Sequence, residues 1–255
     1  MGPIFMALLL VTGWGVFAYS ARRRWKLLMV GAPENRFDRP AERLLRTWTY
    51  AIAQLRMRRY PLAGAAHMLI FLGFGVLLLR TLILWGRGFD ESFNFWLFGS
   101  DQLLGQTYSF FKDVFAVLVL AAAFVFIYFR LVARLPRLTL NREGLLILGI
   151  IVAMMLADIL YDGATIAGKM NTPSVFLVCE PAGSLLAQAF YGADPSTLAF
   201  LRHLGFWTHS SLVLIFLNLL PYSKHFHIIT GIPNVYFQDL HPPGRLPPIE
   251  DIDGK

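Results

Sequence analysis

Five long apolar runs, each nearly free of charge, constrain this chain more than any other feature. Gly2 to Ser20 carries no Asp, Glu, Lys or Arg, and neither does Tyr60 to Leu79, which extends past Arg80 to Trp85. Val114 to Phe129 is uncharged and extends backward through Lys112 and Asp113. Gly144 to Ala157 reaches a useful length once Asp158 is carried within it, and His203 to Ser223 is the cleanest run. A spanning helix needs about 20 mostly apolar residues to cross a hydrocarbon core of about 30 Å. In lipid every backbone N–H and C=O must be satisfied within the segment, which favours helices. The expectation is an all-α integral membrane bundle of five transmembrane helices, at about 2–20, 60–85, 108–130, 143–162 and 200–227.

Composition supports lipid as the solvent. Only 15% of residues are charged and 56% are hydrophobic, against roughly 25% charged in a typical soluble domain. A sixth span within 170–199 is disfavoured by Pro173, Glu180, Pro181 and Pro195. That stretch reads as an outer-face loop with short surface helices. The first run has no basic residues before it and several after it, which reads as a retained helix, not a cleaved signal.

The basic residues set an orientation. Residues 21–60 carry eleven Lys and Arg, residues 130–142 carry four and the tail from Tyr222 carries three, which is 18 of 23. With five helices these regions share one side, and the positive-inside rule makes that side cytoplasmic. The N-terminus is then outside, the C-terminus cytoplasmic, and the location a multi-pass protein of the cell inner membrane. The net charge of +7 thus reads as a membrane-surface signal and not as a nucleic-acid one. Arg39 to Tyr60, basic but interleaved with Leu44, Leu45, Trp48, Ile52, Leu55 and Met57, suits a helix on the cytoplasmic lipid surface or packed on a partner. The proline-rich stretch at 231–255 reads as a cytoplasmic tail or linker following a membrane domain at 1–230.

Cys179 is the single cysteine. It cannot form an internal disulfide, and an all-cysteine iron–sulfur cluster needs about four thiolates, so no such cluster is held by this chain alone.

The chemistry-bearing residues are histidines. Ionisable groups within a bilayer are costly and usually functional, although a lone buried histidine is often only a helix–helix hydrogen bonder. His67 lies six residues beyond Pro61 among Gly64, Ala65, Ala66, Gly73 and Gly75, residues that permit close helix approach or make room for a flat macrocycle. Bis-histidine haem takes one imidazole from each of two facing helices. His67 therefore needs a partner at similar depth. His227 is the first choice and His209 the second; depth counting does not separate them. His209 and His227 are eighteen residues apart, about five turns and ~27 Å if the helix continues through Pro221, where a kink is expected. They could then serve two sites but not one iron. If the helix breaks at Pro221, His225 becomes an alternative ligand. His203 suits an interfacial or quinone-site role, and His241 a solvated one.

Lys112 and Asp113 read either as an ion pair at the outer interface or as a quinone site that bonds a carbonyl and relays its proton. Asp158 and Asp162 admit the same two readings. Arg56, Arg58, Arg59 and Lys224 lie near a haem at the cytoplasmic end and could pair with its propionates; topology alone would also put them there.

The stretches GAAHMLIFLGFG and HSSLVLIFLNLLPYSKHFHIITGIPNVYF carry a family resemblance. The chain resembles the haem b membrane subunit of respiratory nitrate reductase, its gamma subunit. It is more similar still to the N-terminal membrane domain of heterodisulfide-reductase-like Fe–S oxidoreductases and electron-transfer-flavoprotein:menaquinone oxidoreductases. The resemblance covers most of the chain. It implies haem ligation by His67 and His227 near the cytoplasm, and a second haem on His209 toward the outside. The family's partner for His209 falls at Leu77, which cannot bind iron, so one haem b is expected and two are conceivable.

The resulting expectation is a membrane cytochrome b subunit. It would carry electrons between a cytoplasmic Fe–S module, as subunit or C-terminal domain, or an electron transfer flavoprotein, and menaquinone or ubiquinone. The rival readings are a non-redox membrane anchor for a soluble enzyme and a small proton-coupled transporter; the latter would show broken helices or repeats, and no convincing repeat is present.

Overall fold

The computed structural model describes residues 2–135, 142–172 and 175–241. Eight α-helices run through these residues: α1 (Pro3–Leu28), α2 (Pro40–Thr47), α3 (Pro61–Arg87), α4 (Leu103–Leu131), α5 (Arg142–Ala167), α6 (Pro181–Ala189), α7 (Pro195–Leu219) and α8 (His227–Tyr236). No strand occurs among them. Five helices, α1, α3, α4, α5 and α7, are long and apolar enough to cross a membrane. The fold is the expected multi-pass helical bundle.

Prolines begin most of these helices. Pro3, Pro40, Pro61, Pro181 and Pro195 each occupy the first turn, where a missing N–H costs nothing and φ is already helical. Asp194 caps α7, accepting from the backbone N–H of Ser196 and Thr197. The Ser196 and Thr197 hydroxyls, which also donate to it, and then these backbone bonds hold its carboxyl well below the usual carboxylate range.

The centre of the bundle is α5, which packs against α4, α6 and α7, while α3 lies along α4. Half of the most apolar stretch of α5 is buried, against 11% of that of α1. The peripheral α1 leans on α7, where Asn218 donates to the Gly13 carbonyl over 3.0 Å. Exposed Ile4, Phe5, Val11 and Leu8 present α1 to lipid, the setting in which a large apolar exterior is stable. Small residues set the closest approach. A Cβ on Gly205 would lie 2.6 Å from the Ala157 carbonyl oxygen and 2.7 Å from the Tyr161 nitrogen, so α7 seats directly on the α5 backbone. Gly75 is different: a Cβ there meets nothing within 4 Å, so close packing does not require that glycine.

The helix boundaries shift from the expected ones in ways that matter. The first span continues to Leu28, so Arg22, Arg23, Arg24 and Lys26 form its last turns. The third begins at Leu103 and the fourth ends at Ala167. The fifth does not reach 227. It stops at Leu219 and gives way to two 3₁₀ turns, Leu220–Tyr222 and Lys224–Phe226, with extended Ser223 between them. Pro221 supplies no N–H and crowds the preceding turn, which accounts for the break. His209 and His227 are therefore not on one helix face. Among the described residues of the 170–199 stretch, helix is confined to the nine residues of α6 and the start of α7 from Pro195, so no sixth span forms there. Within the expected tail, residues through Tyr236 are helical and Leu240 is buried; positions 242–255 lie outside the described residues.

The segment between α1 and α3 folds back over the basic end of the bundle as α2, a π turn (Trp48–Ile52) and a 3₁₀ turn (Leu55–Arg59). Arg43, only 2% exposed, fastens it. Its guanidinium donates to the carbonyls of Asp38 (2.8 Å), Tyr236 (2.9 Å) and Gln238 (2.8 Å), and to the Asp38 carboxylate (2.6 Å). The Arg43 and Arg39 guanidinium groups lower the Asp38 pKa. Arg36 adds a bond to the Phe237 carbonyl. Two segments about 200 residues apart in sequence are thus joined into one cap.

Candidate functional site: a histidine pair and a buried ionic network

His67, in the second turn of α3, and His227, the first residue of α8, meet beneath this cap. Their ring centroids are 6.4 Å apart and the ring planes differ by 25°. His67 is half-buried and His227 exposed. Each ring has an acceptor at Nδ1. His67 Nδ1–H donates to Gln54 Oε1 over 2.9 Å, and His227 Nδ1–H donates to the Lys224 carbonyl over 3.0 Å. A bond of this kind fixes the ring orientation and leaves Nε2 with its lone pair outward, the arrangement found on metal-bound histidines. The break after Leu219 is what turns the chain back, so that His227 reaches the level of His67.

The spacing admits a metal between the rings. A metal–imidazole bond of about 2 Å on each side, plus about 1 Å from each nitrogen to its ring centre, spans roughly 6 Å. Among the described residues no group of three or more His, Cys, Asp or Glu gathers as a metal-ion site. A pair of histidines suits haem, whose macrocycle supplies the other ligands.

Basic residues sit on the turns that lead into the two helices carrying the pair: Arg56, Arg58 and Arg59 before α3, and Lys224 before α8. Arg59 lies over the Tyr60 ring at 5.8 Å and Arg56 over Tyr50 at 4.7 Å. The Lys224 backbone N–H bonds Glu143. The buried Nε and Nη1 of Arg130 have no hydrogen-bond partner among the described residues. His225 stands 6.2 Å from His227 and its Nδ1 lies 3.7 Å from Glu143 Oε1. Burial pushes the His225 imidazole toward its neutral form.

His209 sits elsewhere, 1% exposed in the middle of the bundle. Both of its nitrogens are engaged: Nδ1 with the Met154 carbonyl at 3.3 Å and Nε2 with Thr81 Oγ1 at 3.2 Å. Leu77, one turn from Thr81, is packed in an apolar cluster with Ala116, Val119, Met155 and Phe216.

Lys112 and Asp113 are not an isolated interfacial pair. Each is 1% exposed, and they belong to a network that ties α3, α4, α5 and α6. Arg80 Nε reaches Asp158 at 2.8 Å and Arg80 Nη2 reaches Asp162 at 2.5 Å. Lys112 pairs with Asp162, with Glu180 at 3.4 Å and with Asp113 at 3.9 Å. Asp113 also accepts from the Ala182 N–H at 2.5 Å, and the Tyr161 ring lies 5.4 Å from the Arg80 guanidinium. Glu180 alone has a side chain partly open to the surface, 20% exposed. Two cations meet four carboxyl groups. Charges buried this deeply are tolerable only when paired, and each buried carboxylate here has a cation or a backbone N–H within reach.

Sequence reading singled out His67, His227, Lys112, Asp113, Asp158 and Asp162. It missed Gln54, Arg130 and the role of Arg80. Only a polar residue flanked by basic ones could have drawn notice to Gln54.

No protein-family model matches the chain, and no solved structure does. Two curated relatives match along most of its length. The "probable iron-sulfur-binding oxidoreductase FadF" of Bacillus subtilis is 27% identical over 250 residues, covering 96% of this chain and 34% of the relative. The "EtfAB:quinone oxidoreductase" of Syntrophomonas wolfei is 28% identical over 239 residues, covering 89% of this chain and 32% of the relative. The chain spans about a third of the length of these relatives.

Proposed function

We propose that the chain is the membrane electron-transfer part of an oxidoreductase, a cytochrome b that connects an iron–sulfur or flavoprotein module with membrane quinone. The observation that carries the reading is the facing pair His67 and His227, each with its Nδ1 tied to an acceptor. The names of the relatives, an iron–sulfur oxidoreductase and an EtfAB:quinone oxidoreductase, supply the donor and acceptor classes. With a single cysteine in this chain, the iron–sulfur chemistry of this reading is assigned outside it. The basic end faces the cytoplasm of the cell by the positive-inside rule, and the cap there is the docking side.

One haem b, ligated by His67 and His227, would supply one-electron storage at this end. The residues of the chain do the rest. Gln54 and the Lys224 carbonyl hold the two rings in one tautomer. Arg59, Lys224 and Arg130, whose Nε and Nη1 have no hydrogen-bond partner among the described residues, offer cations to propionates. A second haem on His209 is not part of the reading, because its nitrogens already serve Thr81 and Met154 and Leu77 fills the opposite position.

Quinone reduction takes up protons as well as electrons. We assign the proton side to the buried network, where Lys112 and Asp113 act as holders of a proton and not as direct contacts to the ring. Glu180 gives that network its surface entry.

A dithionite-reduced minus oxidised spectrum of the purified protein tests the reading. A b-type signal with one haem per chain is expected. Its absence from material supplied with haem during expression would overturn it.

A further inference from the structure

We infer that Gln54 is a positioning residue that sets the redox behaviour of the site through His67; this rests on the haem reading above. Three observations lead to it. Gln54 is 6% exposed although it lies in a surface segment rich in arginine. Its backbone is in the left-handed region, φ 48° and ψ 41°, a conformation that disfavours any residue with a Cβ. Its amide oxygen accepts from His67 Nδ1–H at 2.9 Å.

The local structure is arranged around that contact. The π turn Trp48–Ile52 and the 3₁₀ turn Leu55–Arg59 meet at Gln54, and the left-handed residue between them directs its side chain inward. An Asn or Gly would fit that backbone with less strain. The longer Gln side chain is the one that reaches the ring. On the other side, Gly64 of α3 lies against the Met57 carbonyl, so the 3₁₀ turn seats directly on the helix that carries His67. The Arg43 clasp then holds the same segment to the residues following α8.

The two histidines are treated unequally. His227 donates to a carbonyl three residues before it in its own chain turn. His67 donates to a side chain thirteen residues away, in a separate element. An acceptor at Nδ1 raises ligand basicity, and a more basic imidazole favours the ferric state. A neutral amide accepts less strongly than a carboxylate. Gln54 therefore sets an intermediate potential, and a shift of the cap would change it.

The test uses the full chain in membranes, with redox titration of the haem spectrum of wild type, Gln54→Leu and Gln54→Glu. Outer partners of metal ligands typically change metal affinity 10–100-fold when mutated. A tenfold change in the ferric-to-ferrous preference corresponds to about 59 mV for one electron. Gln54→Leu should raise the midpoint by about that amount, and Gln54→Glu should lower it. Loss of haem from the Leu variant with retention in the isosteric Glu variant also supports the inference. Unchanged midpoints in both variants, a rise in the Glu variant, or equal haem loss from both in folded protein would overturn it. His67→Ala and His227→Ala separate the two levels. If they leave the haem in place, or wild type holds none, the haem reading itself fails. If they remove it and the Gln54 variants are silent, only this inference falls.

Discussion

Arg80 and Asp158 lie 78 residues apart in sequence and 2.8 Å apart in space, each almost fully buried. The pair joins α3 to the central α5, and Asp162 one turn further on takes the other side of the same guanidinium. A charge in this position is tolerable only because its partners are fixed.

Arg80→Leu leaves Asp158 without its cation and Asp162 with Lys112 alone. Removing one member of a buried pair costs about 3–5 kcal/mol. Thermal unfolding in detergent should show a clear drop in midpoint for this variant. An Arg80→Leu protein as stable as wild type would mean that the network does not hold the helices together.

His67→Ala and His227→Ala should each abolish the b-type spectrum, while His209→Ala should keep it. Haem stoichiometry on the same samples gives the check, with one per chain expected in the wild type. Retention of half the haem in either of the first two variants would point instead to two sites.

Gly205→Ala pushes a methyl group into the backbone of α5, which cannot retreat without moving the helix. Overpacking of this kind typically costs about 1–3 kcal/mol. Gly149→Ala and Gly75→Ala meet open space and should be neutral or slightly stabilising, since alanine is the better helix former. Expression level and unfolding temperature of the three variants compare these directly.

Arg43→Ala strips the partners from three carbonyl groups in the cap. Leaving buried polar groups unsatisfied costs about 1–3 kcal/mol, and here the loss falls on local structure. Hydrogen exchange should rise across 36–59 and 227–241 together, with the five spans unchanged. Faster exchange in only one of the two segments would show that Arg43 does not couple them.

Asp194 and Asp38 have pKa values lowered in the folded state by the bonds they accept. A lowered carboxylate pKa contributes stability above its unfolded value, and that contribution is lost as pH falls through the folded one. Acidification below the ordinary carboxylate value of 3.8 should therefore weaken both the α7 cap and the Arg43 clasp. Asp194→Asn, measured by unfolding temperature against pH, should flatten that acid limb.

The number and nature of the spans were legible from hydropathy alone. Hydropathy is a sum over neighbours, and lipid leaves a chain of this composition no stable alternative to helices, so Tyr60 to Trp85 or Val114 to Phe129 could be read without any partner in view. The sequence also singled out His67 and His227, because an ionisable group near an apolar run is conspicuous in one dimension. What only the tertiary structure decided is how distant pieces meet. Pro221 ends α7 at Leu219, which separates His209 from His227 and turns His227 toward His67. Gln54 reaches His67 through a left-handed residue that no pattern of hydrophobicity encodes. Lys112, read as one half of an interfacial pair with Asp113, is bound more closely to Asp162, 50 residues away. Transfer free energy is local and additive; pairing of buried charges depends on contacts between helices, and those exist only once the bundle has closed.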